Sequence, residues 1–184
     1  MNEMTTVTKL LSSYDAAGEW NLVPARSKFV FRNKTMWGLM TVEGHFAEAR
    51  GDGQVTDTGA VSGRVDIVAA SLHSGVRKRD EHLRSEDFFD VDKFPEISVI
   101  VSAADPVDGD AVDLRAEIAI KGTSYPLPLG ATVAVLDDGA VRVSTRTSVD
   151  RQELGVSGNL LGMLVGATEL FAEGCSFGTI EALG

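Results

Sequence analysis

AVDLRAEIAIKGTSYPLPLGATVAVLDDGAVRV, residues 111–143, decides the class of fold. Val112, Leu114, Ala116, Ile118 and Ile120 alternate with Asp113, Arg115, Glu117 and, beyond Ala119, Lys121. After the reversal KGTSYP, the pattern returns in Leu127, Leu129, Ala131, Val133 and Val135. LDDGAV turns the chain again into Val141 and Val143, and the run continues through threonines to Val149. A period of two puts one set of side chains on each face of a strand, so each run is a strand with one buried face. Gly, Asp and Ser at the reversals are the residues of antiparallel hairpins.

The same pattern extends both ways. Upstream, Phe29 and Phe31 share a face, and Met40, Val42, Gly44 and Phe46 lie opposite Thr41, Glu43 and His45. Val61, Gly63, Val65, Ile67 and Ala69 alternate with Ser62, Arg64 and Asp66, and Ile97, Val99 and Val101 follow. Downstream, in ELFAEGCSFGTIEA (169–182), Phe171, Cys175 and Phe177 share a parity that Glu173 breaks. A bulge or a polar group facing a pocket would explain the break. Eight or nine strands joined by short turns make a meander, and a meander must close or stack to cover its edges. A barrel or a sandwich is expected.

One segment breaks the rhythm. RKRDEHLRSEDFFDVDKFP, residues 77–95, crowds charge around Phe88, Phe89 and Phe94. Leu72, Val76, Arg79 and Leu83 fall on one helical face, with Ser74 as the expected N-cap. Asp80 and Arg84 stand four apart in the favourable acid-first order, and Arg77-Lys78-Arg79 are compensated by Asp80 and Glu81 on a solvated face. Ser85 is read as a second cap, and Pro95 ends the segment with Phe94 extended. So short a helix is unstable alone. It must press Leu83, Phe88 and Phe89 onto something apolar, such as the open end of a barrel.

The totals bound the rest. A length of 184 residues with 43% hydrophobic residues suits one folded domain, with residues 1–17 as a loose tail and 18–184 as the domain. A net charge of −10 disfavours nucleic acid and anionic lipid headgroups as partners. No segment approaches the roughly 20 apolar residues of a membrane span. The N-terminus lacks the basic start and apolar run of an export signal, so a cytoplasmic location is expected. The single cysteine, Cys175, is read as a small core thiol.

Catalytic and metal chemistry find weak footing. Glu81 with Asp87, or Asp90 with Asp92, would need environments that push their pKa values apart, and capping or surface pairing explains them better. His45, His73 and His82 lack a common ligand spacing. No metal, cofactor or catalytic residue is expected. Two readings stay open on the residues alone. Phe29, Phe31, Phe46, Phe171 and Phe177 either fill a solid barrel or line a cavity. The glycine-spaced, uncharged run 155–168 is either a mobile flap or a buried connection.

RDEHLRSEDFFDVDKFPEISV (79–99), read with GEWNLVPARSKFVF (18–31) and TSVDRQELGV (147–156), resembles the YceI-like family. VEGHF (42–46) and IKGTSYPLPLGATV (120–133) agree, and the resemblance runs from about residue 18 to 182. It implies an all-β, eight-stranded antiparallel lipocalin-like barrel with one short helix and a lid-like loop. Members bind polyisoprenoids or related amphiphilic lipids in an elongated cavity and have no established catalytic activity. Carried onto this chain, the resemblance favours cavity lining by Phe29, Phe31, Trp37, Met40 and Phe46. Phe88, Phe89 and Phe94 would join from the helical segment, Leu160 and Met163 from the flap, and Phe171 and Phe177 from the last strand. His82, Arg84 and Arg151 would form a polar rim, with His82 tying the helix to the barrel. Two departures, VPARS with Val23 and Arg26, and KTMWGLM with Trp37, point to an altered headgroup contact or cavity volume. The alternatives are an enzyme acting on a lipid or quinone headgroup at the mouth through His82, Arg84 or Arg151, and a solid barrel that serves as an interaction module, for instance as a homodimer.

Overall fold

The computed structural model describes residues 6–13, 16–35, 40–151, 153–156 and 164–179. β1 (Gly18–Leu22) and β2 (Phe29–Thr35) form one bent strand, broken at Pro24–Arg26. β3 (Met40–Phe46) and β4 (Ala49–Val55) form a second, and β5 (Val61–Val68) and β6 (Leu72–His73) a third. β7 (Glu96–Pro106) and β8 (Ala111–Ile120) run unbroken. β9 (Thr123–Pro126) and β10 (Leu129–Val135) make another bent strand, and β11 (Val141–Val149) and β12 (Leu164–Thr179) complete the set.

Every pairing is antiparallel. The ring runs β1–β4–β5–β7–β8–β10–β11–β12, and β12 pairs back onto β1 through Leu22↔Phe177 and Trp20↔Thr179. Closure removes the exposed edges that an open meander would leave. The long β12 does two jobs: its first half pairs with β2, its last residues with β1. This is the eight-stranded closed barrel that the family resemblance implied, and one of the two architectures the alternation allowed. The β8–β9 turn, Lys121-Gly122, has φ of 48° and 76°, the doubly positive geometry of a tight hairpin whose twist matches its strands.

Of the two readings of the break near Glu173, the strand pairing shows the bulge. Between Thr145↔Ala172 and Val143↔Cys175, β12 advances three residues while β11 advances two. That extra residue resets the inward and outward phase of β12.

The two ends of the barrel differ. At one end lie the turns 56–60, 107–110 and 136–140 together with α1 (Thr6–Ser12). Val7, 2% exposed, packs with the inward-facing Trp20, Val112, Ala131, Val133 and Val141, and the Trp20 indole donates to the Ala16 carbonyl at 2.8 Å. The stretch read as a loose tail therefore contains a helix that plugs this end. At the other end lies the connection from β6 to β7, with α2 (Arg77–Arg84).

α2 corrects three local expectations. Its N-cap is Val76, which makes no side-chain cap. Ser74 instead donates its backbone N–H (2.9 Å) and its hydroxyl to Asp80, while Arg79 Nε and a terminal nitrogen donate to the Ser74 hydroxyl and carbonyl at 2.8 and 2.6 Å. Asp80, expected on a solvated face paired with Arg84, is only 3% exposed because it folds back onto the chain entering the helix. Arg77–Glu81, at 2.9 Å, is the surface pair one turn apart. Ser85 closes α2 and also opens the expected turn through Phe88 and Phe89, where the Phe88 and Asp90 N–H groups donate to its carbonyl. Its hydroxyl donates back to the His82 carbonyl instead of capping that turn.

Candidate ligand-binding cavity

The barrel is hollow. A cavity of about 370 Å³ lies along its interior at the α2 end. That is within the range of about 300–1,000 Å³ common for small-molecule sites. Its walls come from every side of the ring, because inward parity repeats on each strand. Val65, Val99 and Ile118 are successive register partners and all line it. Phe29, Phe31, Phe46, Ile120, Leu127, Leu129 and Leu170 extend the apolar wall. Along β11 the lining residues are Val143, Thr145, Thr147 and Val149, a run of about 20 Å at roughly 3.3 Å per residue. The cavity is therefore elongated along the strands.

α2 and the turn behind it cover one side of the opening. Leu83, Phe88 and Phe89 all face the cavity, as the helical reading required. Phe88 is 1% exposed, and Phe89 meets Phe46 edge-on at 6.1 Å. Arg84 holds this cover in place by donating to the carbonyls of Ala70 (2.9 Å) and Leu72 (2.6 Å). That is the role expected of His82. His82 instead packs its ring edge-on against Phe88, 5.1 Å between centroids, near Asp87. Neither His82 nor Arg84 lines the cavity.

Phe94 is also elsewhere. Its ring lies over the β8–β9 turn, where a Cβ on Gly122 would come within 3.0 Å of it, and the Lys93 ammonium sits 5.2 Å from its centre. Met40 and Phe177 line the cavity as expected, Met40 while 57% exposed. Phe171 pairs with Val30 and Arg146, one residue out of phase with the lining positions Leu170 and Ala172. Parity carried back from Phe177 does not hold across the bulge. Trp37, Leu160 and Met163 lie outside the described residues, as do 157–163 of the expected flap and the side chains of Phe171 and Cys175.

Polar atoms at the cavity are few. Arg151, expected at the rim, is a lining residue, and one terminal nitrogen donates to the Val156 carbonyl at 3.1 Å. Burial pulls its pKa down, opposed by the carboxylate of Asp150, and a guanidinium stays charged regardless. Arg79 and Asn33 are among the polar lining residues that went unforeseen. Arg79 is anchored by Ser74, and Asn33 shares parity with Phe29 and Phe31. Asn33 is 7% exposed, and its Oδ1 has no hydrogen-bond partner among the described residues. Such an orphan acceptor costs about 1–3 kcal/mol. The alternation that revealed the phenylalanines already contained Asn33.

Outside the cavity, His45 and His73 meet edge-on at 5.7 Å, and His73 Nδ1 is 3.2 Å from Asp80. Among the described residues, no three His, Cys, Asp or Glu side chains are grouped as a metal site would require. No described helix is long and apolar enough to cross a membrane.

The YceI-like domain model matches residues 20–170. The chain belongs to the YceI-like domain family. Among curated relatives, a UPF0312 protein of Pseudomonas putida (strain W619) is 34% identical over 68 residues, which is 37% of this chain and 35% of that protein. The matched stretch thus spans about a third of that relative. Among solved structures, Burkholderia cenocepacia BcnA superposes with a TM-score of 0.75 at 18% identity, covering 86% of this chain and 99% of that one. A polyisoprenoid binding domain from Saccharophagus degradans gives 0.70 at 15% identity, with coverage of 86% and 96%. These likenesses agree with the YceI-like barrel seen here.

Proposed function

We propose that this YceI-like barrel binds, without catalysis, a long-chain amphiphilic lipid such as an isoprenoid. The observation that carries the reading is the elongated apolar cavity, plugged at one end by α1 and covered at the other by Phe88 and Phe89. A flexible hydrocarbon gains about 0.8 kcal/mol for each methylene it buries. Ten such groups contribute about 8 kcal/mol, comparable with the several kcal/mol that association costs. The Saccharophagus degradans domain, described as polyisoprenoid binding, shares the fold and supports the ligand class. The enzyme alternative relied on His82, Arg84 and Arg151, and of these only Arg151 lines the cavity.

Filling the cavity from its wall tests the reading. Val99 faces inward between Val65 and Ile118. Val99→Trp is expected to keep the barrel folded by circular dichroism and to abolish saturable binding of geranylgeraniol. Undiminished binding by a folded Val99→Trp protein would place the lipid elsewhere.

A further inference from the structure

Among the described residues that line the cavity, Asn33 carries an acceptor whose chemistry is unanswered. Asn33 stands on β2 in the inward register of Phe29 and Phe31, opposite Val42 of β3. The residue is more than nine-tenths buried, lines the cavity, and its Oδ1 has no hydrogen-bond partner among the described residues. The two guanidinium groups that also line the cavity make other contacts: Arg79 donates to Ser74, and Arg151 donates to the carbonyl of Val156. A buried carbonyl oxygen is stabilised by a donor and disfavoured beside a second acceptor.

We infer that Asn33 selects the ligand's headgroup: the lipid presents a hydroxyl or N–H donor to Asn33 Oδ1. This rests on the lipid-binding reading above and adds a chemical class to it. An alcohol or an amide fits. A headgroup that offers only acceptors, such as an ether or an ester, leaves the Asn33 oxygen unsatisfied and adds a second orphan beside it. The specificity is built as binding sites usually build it, with an apolar wall for affinity and one oriented polar group for choice.

The test is a pair of titrations of the full chain with geranylgeraniol and its methyl ether, which differ by the donor proton and one methyl group. The alcohol is expected to bind about tenfold tighter. Asn33→Leu is expected to bring the ratio close to one while keeping or raising the affinity for the ether. The ratio in the unsubstituted protein is decisive even if Asn33→Leu fails to fold. Equal affinities there, or a preference that survives Asn33→Leu, would overturn the role of Asn33 and leave lipid binding standing. No saturable binding of either compound would overturn the lipid reading, and the role of Asn33 with it.

Discussion

At the scale of single residues, two positions show how the cavity is shaped and its cover held. Gly44 pairs with Phe31, and the Phe31 ring lies across the place where a Cβ would stand. That Cβ would also come within 3.0 Å of the His73 carbonyl. Gly44→Ala must push the ring into the cavity, and is expected to lower stability by about 1–3 kcal/mol in denaturant titrations and to weaken lipid binding. Asp80 holds the entry to α2. Burial pushes its carboxyl pKa up, but the Ser74 hydroxyl and N–H, His73 and Arg84 outweigh it and leave the value below the ordinary range. A depressed native pKa means the stabilisation is present above the unfolded value, about 3.9, and is lost as pH falls through the native value. Asp80→Asn should cost about 2 kcal/mol near neutrality and reduce the loss of stability below about pH 3.9. Only part of the acid loss will vanish. Asp66 is shifted the same way: burial raises it, while Ser98, Arg64 and Arg50 prevail. An unchanged acid profile for Asp80→Asn would show that the Ser74–Asp80 contact does not stabilise the fold. Neither position was fully legible in the sequence. The alternation marked Gly44 as inward-facing but not what crosses it, and a helical wheel put Asp80 on the wrong face because its partners precede the helix.

At the scale of elements, the strands were legible and their phase was not always so. Period-two patterning survives wherever one face meets the core, which is why β8, β10 and the first half of β11 stood out. A bulge breaks the pattern without leaving a distinctive residue, so parity cannot be carried along β12 from Phe177 past the register shift opposite Val143 and Thr145. α1 was missed because seven residues with one deeply buried side chain carry almost no amphipathic signal. The cover formed by α2 and the following turn was legible in outline, and its two adjacent phenylalanines divide the work. Phe88 is fully buried, so Phe88→Ala should cost about 3–5 kcal/mol. Phe89 is less buried and edges onto Phe46 at the cavity. Phe89→Ala should leave the barrel folded and weaken lipid binding about tenfold, the worth of some 50 Å² of apolar contact. Thermal melts and lipid titrations of the two variants, side by side, check this division. Equal losses of stability would contradict it.

At the scale of the whole molecule, closure and hollowness are separate properties, and the residues alone left both open: a barrel or a sandwich, a solid core or a hollow one. An eight-stranded ring can be packed solid or can hold one ligand, and the same inward phenylalanines serve either. The resemblance to the YceI-like family tipped the expectation toward a cavity, and the geometry shows one of about 370 Å³. The net charge of −10 is a property of the outside, where pairs such as Arg32–Glu43 and Arg50–Glu96 decorate the strands. It sets which surfaces approach, not what is carried within. The central claim is that the hollow barrel holds a long apolar chain. Its most direct test is a native mass spectrum of freshly purified protein, followed by extraction with organic solvent and identification of what comes off. The expected result is a stoichiometric adduct that extracts as an isoprenoid or other long-chain lipid. A bare chain mass that persists after incubation with polyprenols and fatty acids would contradict the claim.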